Sequence, residues 1–232
     1  MKRSILLLAL GAAPLAASAP GDGSEVQQTA DAAAASFLQG RLEDAVGAFR
    51  YLASLGITAP DPETNLAVLH RDQGQTEAAL PFWVKASLRQ ESDGFSWNQR
   101  GWSYLSLDRP QEARESFLRA LDRSSTTATQ AEAQLGLGMA GLMNGQPKTA
   151  MAPLRSALVL GPYILPLAAY QTALTALAVG DKNAAQAYLR QCAGQDAFNL
   201  ECLRELARLH ARMGENRPAW RVYQRILSLD PL

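Results

Sequence analysis

Residues 97–121 read WNQRGWSYLSLDRPQEARESFLRAL, and this stretch carries the strongest structural signal in the chain. The small residues Gly101 and Ala113 stand on either side of a turn near Asp108, and the bulky Phe117 follows. Two antiparallel helices approach to about 8–10 Å only where the crossing point carries little side chain. The stretch therefore predicts a helix, a turn and a second helix that cross at the two small residues.

The same pattern recurs along the chain. Units begin at Val26, Pro60, Gly94, Ala131, Pro166 and Leu200, at steps of 34, 34, 37, 35 and 34 residues. The eighth and twentieth places of every unit are alanine or glycine: Ala33, Ala67, Gly101, Gly138, Ala173, Ala207 and Ala45, Ala79, Ala113, Ala150, Ala185, Ala219. The fifteenth place is glycine, which can take the left-handed conformation that ends a helix, in every unit but the third, where it is Asp108. Six helix-turn-helix units are predicted.

These units resemble the tetratricopeptide repeat family, and the third unit follows the family pattern most closely, departing from it at Arg100, Asp108 and Ser125. The resemblance covers residues 26–232. It implies an all-α, right-handed solenoid with repeats at 26–59, 60–93, 94–130, 131–165, 166–199 and 200–232. Members of this family hold another polypeptide in a concave groove, so the resemblance implies a protein or peptide partner.

The first nineteen residues have the order of a secretory signal peptide. Lys2 and Arg3 precede an apolar run over residues 5–13, and the small residues Ala17, Ser18 and Ala19 follow. We predict a signal peptide at 1–19, a linker at 20–25, and a soluble protein that is exported to the periplasm or the extracellular space. Pro20 hinders cleavage after Ala19, so two alternatives stay open: a cut after Ser18, or an uncleaved segment that acts as a short anchor.

The charge balance and the scattered polar residues exclude several classes of function. Lysine plus arginine and aspartate plus glutamate both number 22, so no basic excess is available to neutralise nucleic-acid phosphates. His70 and His210 both occupy the eleventh place of a repeat, which is a buried aromatic position in the third. The G-x-G-x-x-G match at Gly136–Gly141 falls inside a predicted helix instead of a strand-to-helix turn. We predict no catalytic residues, no metal site and no cofactor.

Cys192 and Cys202 stand at the neighbouring ends of the fifth and sixth repeats. An oxidising compartment would allow a disulfide between them, provided that their Cα atoms come within about 7 Å. Two small buried thiols are the alternative, because free cysteines are common in packed cores.

The family resemblance also implies which positions line the groove, namely those on the first helix of each repeat that face away from the small residues. Asparagine can donate and accept along an extended peptide backbone, and methionine adapts to apolar partners of different shapes. For the residues 135–143, burial between helices is the alternative interpretation. The predicted groove residues are Asn65, Arg71, Asn98, Gln99, Trp102, Leu135, Met139, Leu142, Met143, Tyr170 and Leu174.

The resulting functional hypothesis is a non-enzymatic protein-interaction scaffold. A narrower alternative is an assembly factor for a pilus or a secretion channel, and an alternative of another class is an envelope enzyme whose site the motifs do not reveal. No polar helix is predicted to cover the last repeat. Solenoid ends usually need such a cover, so we also expect that two copies could pair through the C-terminal end.

Overall fold

A computed structural model of the chain describes residues 23–55, 61–89, 94–161, 164–194 and 199–229. The predicted signal peptide lies outside the described residues. The described residues divide into two compact units, one within 1–89 and one within 90–232. The chain is all-α over the described ranges, which hold helices and no strand, and the predicted fold class is confirmed.

The first unit contains two helix pairs. Its first helix begins at Gly23, inside the predicted linker 20–25. The helices are α1 (Gly23–Leu38), α2 (Leu42–Ser54), α3 (Pro62–Asp72) and α4 (Thr76–Ser87).

The second unit contains four helix pairs, in which each helix packs against its neighbours in sequence. The helices are α5 (Gly94–Ser106), α6 (Pro110–Arg123), α7 (Thr127–Met143), α8 (Pro147–Leu160), α9 (Leu165–Ala178), α10 (Lys182–Ala193), α11 (Asn199–Arg212) and α12 (Asn216–Leu229).

All six turns inside the pairs end the first helix in the same way. The residue at the fifteenth place has a positive φ, for example 85° at Gly180 and 56° at Asp108. The backbone N–H of the sixteenth residue then donates to the carbonyl oxygen of the eleventh, as from Arg109 to Tyr104 at 2.9 Å and from Asp181 to Ala176 at 2.8 Å. These are the bonds of a Schellman motif, which satisfies carbonyl groups that the helix end would leave unpaired.

The small residues mark the helix crossings, as the repeat predicted. Ala45, Ala79 and Ala113 have no exposed surface. A Cβ atom added to Gly101 would stand 2.7 Å from Cε1 of Phe117, so the glycine leaves the space that the phenyl ring fills. Burial of a ring or a leucine of this kind contributes about 1.5–3 kcal/mol.

Each unit has its own apolar core. In the first unit, residues from α1, α2 and α3 form one cluster that includes Val26, Phe49, Leu52 and Leu66. In the second unit, clusters lie between successive pairs, and one of them joins Leu189 of α10 to Leu206 and Leu209 of α11. Among the described residues, no helix is long and apolar enough to cross a membrane.

A disulfide links α10 to α11 in the second unit. Cys192 and Cys202 are joined, with their Cα atoms 5.9 Å apart, and no free cysteine is found. Both side chains are fully buried in a cluster with Ala169, Ala193 and Leu203. The bond therefore ties the last helix pair to the pair before it.

Candidate partner-binding groove

The first helices of the second unit present a row of half-buried apolar side chains. Helix α7 packs against α5 on one side and α9 on the other. Trp102 of α5 and Met139 and Leu142 of α7 rest on a buried cluster that includes Leu154, and Leu174 of α9 is also half-buried. Each of these side chains keeps part of its surface in solvent. The row offers apolar contact area on a rigid base.

Trp102 is the largest side chain in this row, and its position is fixed from below. Its ring meets Phe117 of α6 edge to face, with centroids 5.2 Å apart and an interplanar angle of 73°. The Phe117 ring also occupies the space beside Gly136, where a Cβ atom would lie 2.5 Å from Cε2. Aromatic pairs of this geometry contribute about 0.5–1.5 kcal/mol beyond their burial. The Trp102 ring is thus held in a fixed orientation by the helix beneath it.

The structure corrects two of the predicted groove residues, Asn98 and Leu135. Asn98 has no exposed surface, and its Nδ2 donates to the carbonyl oxygen of Thr129 at 2.9 Å. Leu135 is buried in the core between α7 and α8. Both occupy the fifth place of a repeat. At 100° per residue, this place lies only about 60° from the small eighth place, so packing against the adjacent helices covers it.

Gln99, Met143 and Tyr170 are accessible to different degrees. Gln99 is half-buried on α5, and Met143 at the end of α7 is 42% exposed. Tyr170 of α9 packs partly on the core, and burial raises the pKa of its phenol, with Glu205 and Glu201 adding to the rise. The hydroxyl therefore stays protonated at neutral pH and can donate a hydrogen bond.

Helix α11 closes the row with alternating charges. Arg204 pairs with Glu201 at 2.8 Å, and Arg208 pairs with Glu205. Except for Glu205, whose side chain is 18% exposed, these side chains lie largely in solvent, so each pair contributes little to stability. The face of the second unit therefore changes from apolar on α5, α7 and α9 to zwitterionic on α11.

In the first unit, Asn65 and Arg71 already have partners in α3 or at its N-cap. Asn65 Nδ2 donates to the carbonyl oxygen of Asp61 at 2.9 Å, and Arg71 pairs with Asp72 at 2.9 Å. Asp61 also caps α3 by accepting from the backbone N–H of Thr64, and Arg89 pairs with Asp61 and Glu63. If Asn65 recognised the main chain of a partner, it would use the hydrogen-bonding capacity of its amide that the bond to Asp61 does not occupy.

A contact between the eleventh and sixteenth places recurs, although the repeat pattern did not predict it. Nδ1 of His70 lies 2.8 Å from Oε1 of Gln75, and Nδ1 of His210 lies 2.5 Å from Oε2 of Glu215. In the third repeat, Arg109 stacks over the Tyr104 ring at 4.8 Å. The five-residue spacing of His-Gln and His-Glu was the available signal. The group at the sixteenth place is an amide in one repeat, a carboxylate in another and a guanidinium in a third. Because chemically different groups make the same contact, we infer that the contact stabilises the turn.

An open cleft of about 500 Å³ lies beside the His210 turn, lined by residues that include Gln186, Arg190, Glu215 and Arg217. His210 is 3% exposed, and its Nδ1 lies 3.3 Å from Nε2 of Gln186. Over the ranges that the structure describes, no three His, Cys, Asp or Glu side chains form a group that could hold a metal ion. The G-x-G-x-x-G match lies within α7, where Gly136 and Gly138 face Phe117 and Leu154.

Comparisons with known proteins agree with this architecture. A model of the tetratricopeptide repeat family matches residues 98–163. A search of curated proteins finds no match. The solved structures that match share the fold at low sequence identity.

PilF of Pseudomonas aeruginosa has a TM-score of 0.72 at 18% identity, over 90% of this chain and 93% of its own. PilW, a type IV pilus biogenesis factor, has a TM-score of 0.69 at 17% identity, over 89% of this chain and 94% of its own. YrrB, described as having an unusual peptide-binding site, has a TM-score of 0.57 at 21% identity, over 73% of this chain and 86% of its own. Residues 98–163 match the tetratricopeptide repeat family, and the repeat spacing and helix pairing of the described residues show the fold of tetratricopeptide repeat proteins.

Proposed function

We propose that this protein is a non-enzymatic scaffold that binds an extended segment of a partner polypeptide along the first helices of its second unit. The observation that carries the proposal is the row formed by Trp102, Met139, Leu142 and Leu174, which keeps apolar surface in solvent on three neighbouring helices. Exposed apolar rows with a polar border are typical of peptide-binding grooves. Tyr170 and the charges of α11 would orient the segment, while Gln99 and Met143 would contact its flanks.

The partner segment that fits this row has two or three apolar side chains followed by polar residues. Trp102 offers a rigid anchor, and Met139 adapts to side chains of different shape. We also propose that Asn65 and Arg71 contact a partner polypeptide, as a binding surface of the first unit by itself. The part of the Asn65 amide that is not bonded to Asp61 would serve main-chain recognition.

The test places a photocrosslinking amino acid at Met139 or Leu174 and, as a matched control, at Glu115 on the exposed side of α6. We expect the two groove positions to capture the same partner from cell-envelope extracts and the control position to capture none. Binding of the captured segment to the purified chain should then fall at least tenfold with Leu174→Glu and stay unchanged with Glu115→Lys. Equal capture at all three positions would contradict the proposal.

We also propose that the protein acts after export. The apolar N-terminal segment with Lys2 and Arg3 supports this, and so does the Cys192–Cys202 disulfide, because such bonds persist in oxidising compartments. N-terminal sequencing of protein recovered from the envelope should find a chain that begins after Ser18 or Ala19. Recovery of the full-length chain with free thiols from the cytoplasm would contradict the export proposal.

A narrower version of the scaffold proposal is an assembly factor for a pilus or a secretion channel. PilW is named as a pilus biogenesis factor, and its match with this chain spans nearly the full length of both. Deletion of the gene should then reduce surface pili or secreted protein, and restoration should require an intact Leu174. Self-association through the C-terminal end stays a prediction, and a concentration-dependent dimer that Trp220→Ser abolishes would support it.

A further inference from the structure

The outer face of α12 carries an exposed apolar stripe. Trp220, Tyr223 and Leu227 are 61%, 40% and 51% exposed. Their spacing of three and then four residues aligns them on one side of the helix. The adjacent side packs on the core, where Val222 and Ile226 contact the cluster around the Cys192–Cys202 disulfide. Helix α12 is therefore held from below while the stripe faces outward.

The stripe is equivalent to the surface on which the following helix packs in the inner repeats. Tyr223 and Leu227 stand at the twenty-fourth and twenty-eighth places. In the fifth repeat these places are Leu189 and Ala193, which are 0% and 3% exposed. Leu189 is covered by Leu206 and Leu209 of α11. No helix in the described part of the chain covers the equivalent places of α12, so over these residues the stripe has the shape of an open helix-docking surface.

The charges beside the stripe of α12 favour one kind of docked helix. Next to the stripe, α12 carries the exposed arginines Arg217 and Arg221, and the helix contains no acidic residue. Neither arginine forms an ion pair among the described residues, whereas Arg225 donates to the carbonyl oxygen of Ala193 at 3.2 Å. Pairing α12 with the α12 of a second copy would bring two rows of arginines together, which like-charge repulsion opposes. Acidic residues beside the docked helix would remove this cost.

We propose that the stripe of α12 binds an amphipathic helix of a partner protein, with apolar residues at i, i+3 and i+7 and acidic residues beside them. The docked helix would pack on Trp220, Tyr223 and Leu227 as α11 packs on Leu189. Its carboxylates would pair with Arg217 and Arg221, which sets its direction and excludes basic helices. This surface is separate from the groove on α5, α7 and α9, and its test does not depend on that groove.

The experiment uses the full exported chain and two fluorescein-labelled synthetic helices, whose apolar stripes are identical and whose flanking residues are all glutamate or all lysine. Fluorescence anisotropy should show that the glutamate helix binds and that the lysine helix binds at least tenfold more weakly. Trp220→Ser should reduce binding of the glutamate helix at least tenfold, and Arg217→Glu with Arg221→Glu should reverse the preference. Because all three side chains are exposed, circular dichroism should show unchanged helix content.

Trp102→Ala serves as the control, because it alters the groove and should leave binding of the glutamate helix unchanged. Equal affinity for the two synthetic helices would overturn the proposal, as would glutamate-helix binding that is insensitive to Trp220→Ser. A concentration-dependent dimer in sedimentation that Trp220→Ser abolishes would overturn it as well, because a second copy would then be the occupant. If the groove positions captured no partner while the glutamate helix still bound normally to α12, only the proposal of groove binding would be contradicted.

Discussion

At the scale of single residues, the turns show how one backbone conformation recurs with different side chains. Five turns have glycine at the left-handed position, and the third has Asp108 with φ 56°. The same hydrogen bond from the sixteenth to the eleventh residue closes all of them. Asp108 therefore adopts a left-handed conformation that the equivalent glycines of the other five repeats adopt at little cost.

Asp108→Gly should stabilise the protein. A left-handed conformation costs an L residue about 1–2 kcal/mol, whereas glycine costs about 0.5–1 kcal/mol in chain entropy, so we expect the free energy of unfolding to rise by about 0.5–1 kcal/mol. Urea unfolding monitored by circular dichroism measures the change. The matched variant is Gly180→Ala, where no atom lies within 4 Å of the added Cβ and φ is 85°, so strain alone should destabilise it. A loss of stability in both variants would count against this explanation.

Glu132→Gln should change how stability depends on pH. Burial raises the pKa of the Glu132 carboxyl, and a hydrogen bond from Asn98 lowers it less. The folded state therefore binds this proton more tightly than the unfolded state, so the carboxyl's contribution to stability falls as pH rises through its folded pKa. We expect the variant to be more stable than the wild type at pH 7, with a difference that disappears below the ordinary pKa of 4.5. Urea unfolding at a series of pH values tests this, and a pH-independent difference would show that ionisation is not the cause.

At the scale of helices, packing on two sides decides what each first helix exposes. Asn98 is covered by the next pair, where it bonds to Thr129, whereas Leu135 is buried in a cluster that joins α7 and α8 to α9. Trp102 and Leu174, at the ninth place, stay half-exposed. A groove therefore uses a narrower arc of each helix than the sequence pattern alone indicates.

Loss of the disulfide between α10 and α11 should destabilise the last helix pair. The bond closes a step of ten residues, and the chain-entropy relation gives about 2–3 kcal/mol for a loop of this size. We expect a reducing agent or Cys192→Ala with Cys202→Ala to lower the free energy of unfolding by that amount. Two reactive thiols in denatured protein from an oxidising compartment would show that the bond does not form. Thermal unfolding with and without reductant provides the measurement.

At the scale of the whole molecule, the number of stacked repeats in each unit sets its independent stability. Repeat units cannot bury their apolar faces alone, and about three are needed for a stable core. The first unit has two helix pairs, whereas the second has four and the disulfide. The two units should therefore behave differently when they are separated.

A fragment of residues 90–232 should fold alone, with a helical circular dichroism spectrum and one cooperative thermal transition. A fragment of residues 20–89 should show weak helicity and no cooperative transition, because two pairs leave an apolar face uncovered. A chain of residues 20–232 serves as the reference and should also be dominated by helix. A cooperative transition in the short fragment, or none in the long one, would contradict this account.

Six helix pairs, their turns and their crossings followed from the sequence alone. Small residues at the eighth and twentieth places and glycine at the fifteenth are local requirements of close helix approach and of a left-handed turn, so they can be read one repeat at a time. The tertiary structure alone decided which polar and apolar side chains are covered. Asn98 looked like a binding residue but bonds to Thr129, and His210 braces a turn through Glu215. Tyr223 and Leu227 remain open, although their counterparts Leu189 and Ala193 are buried. Burial depends on the neighbouring helix, and a residue's position in its own repeat does not specify that neighbour.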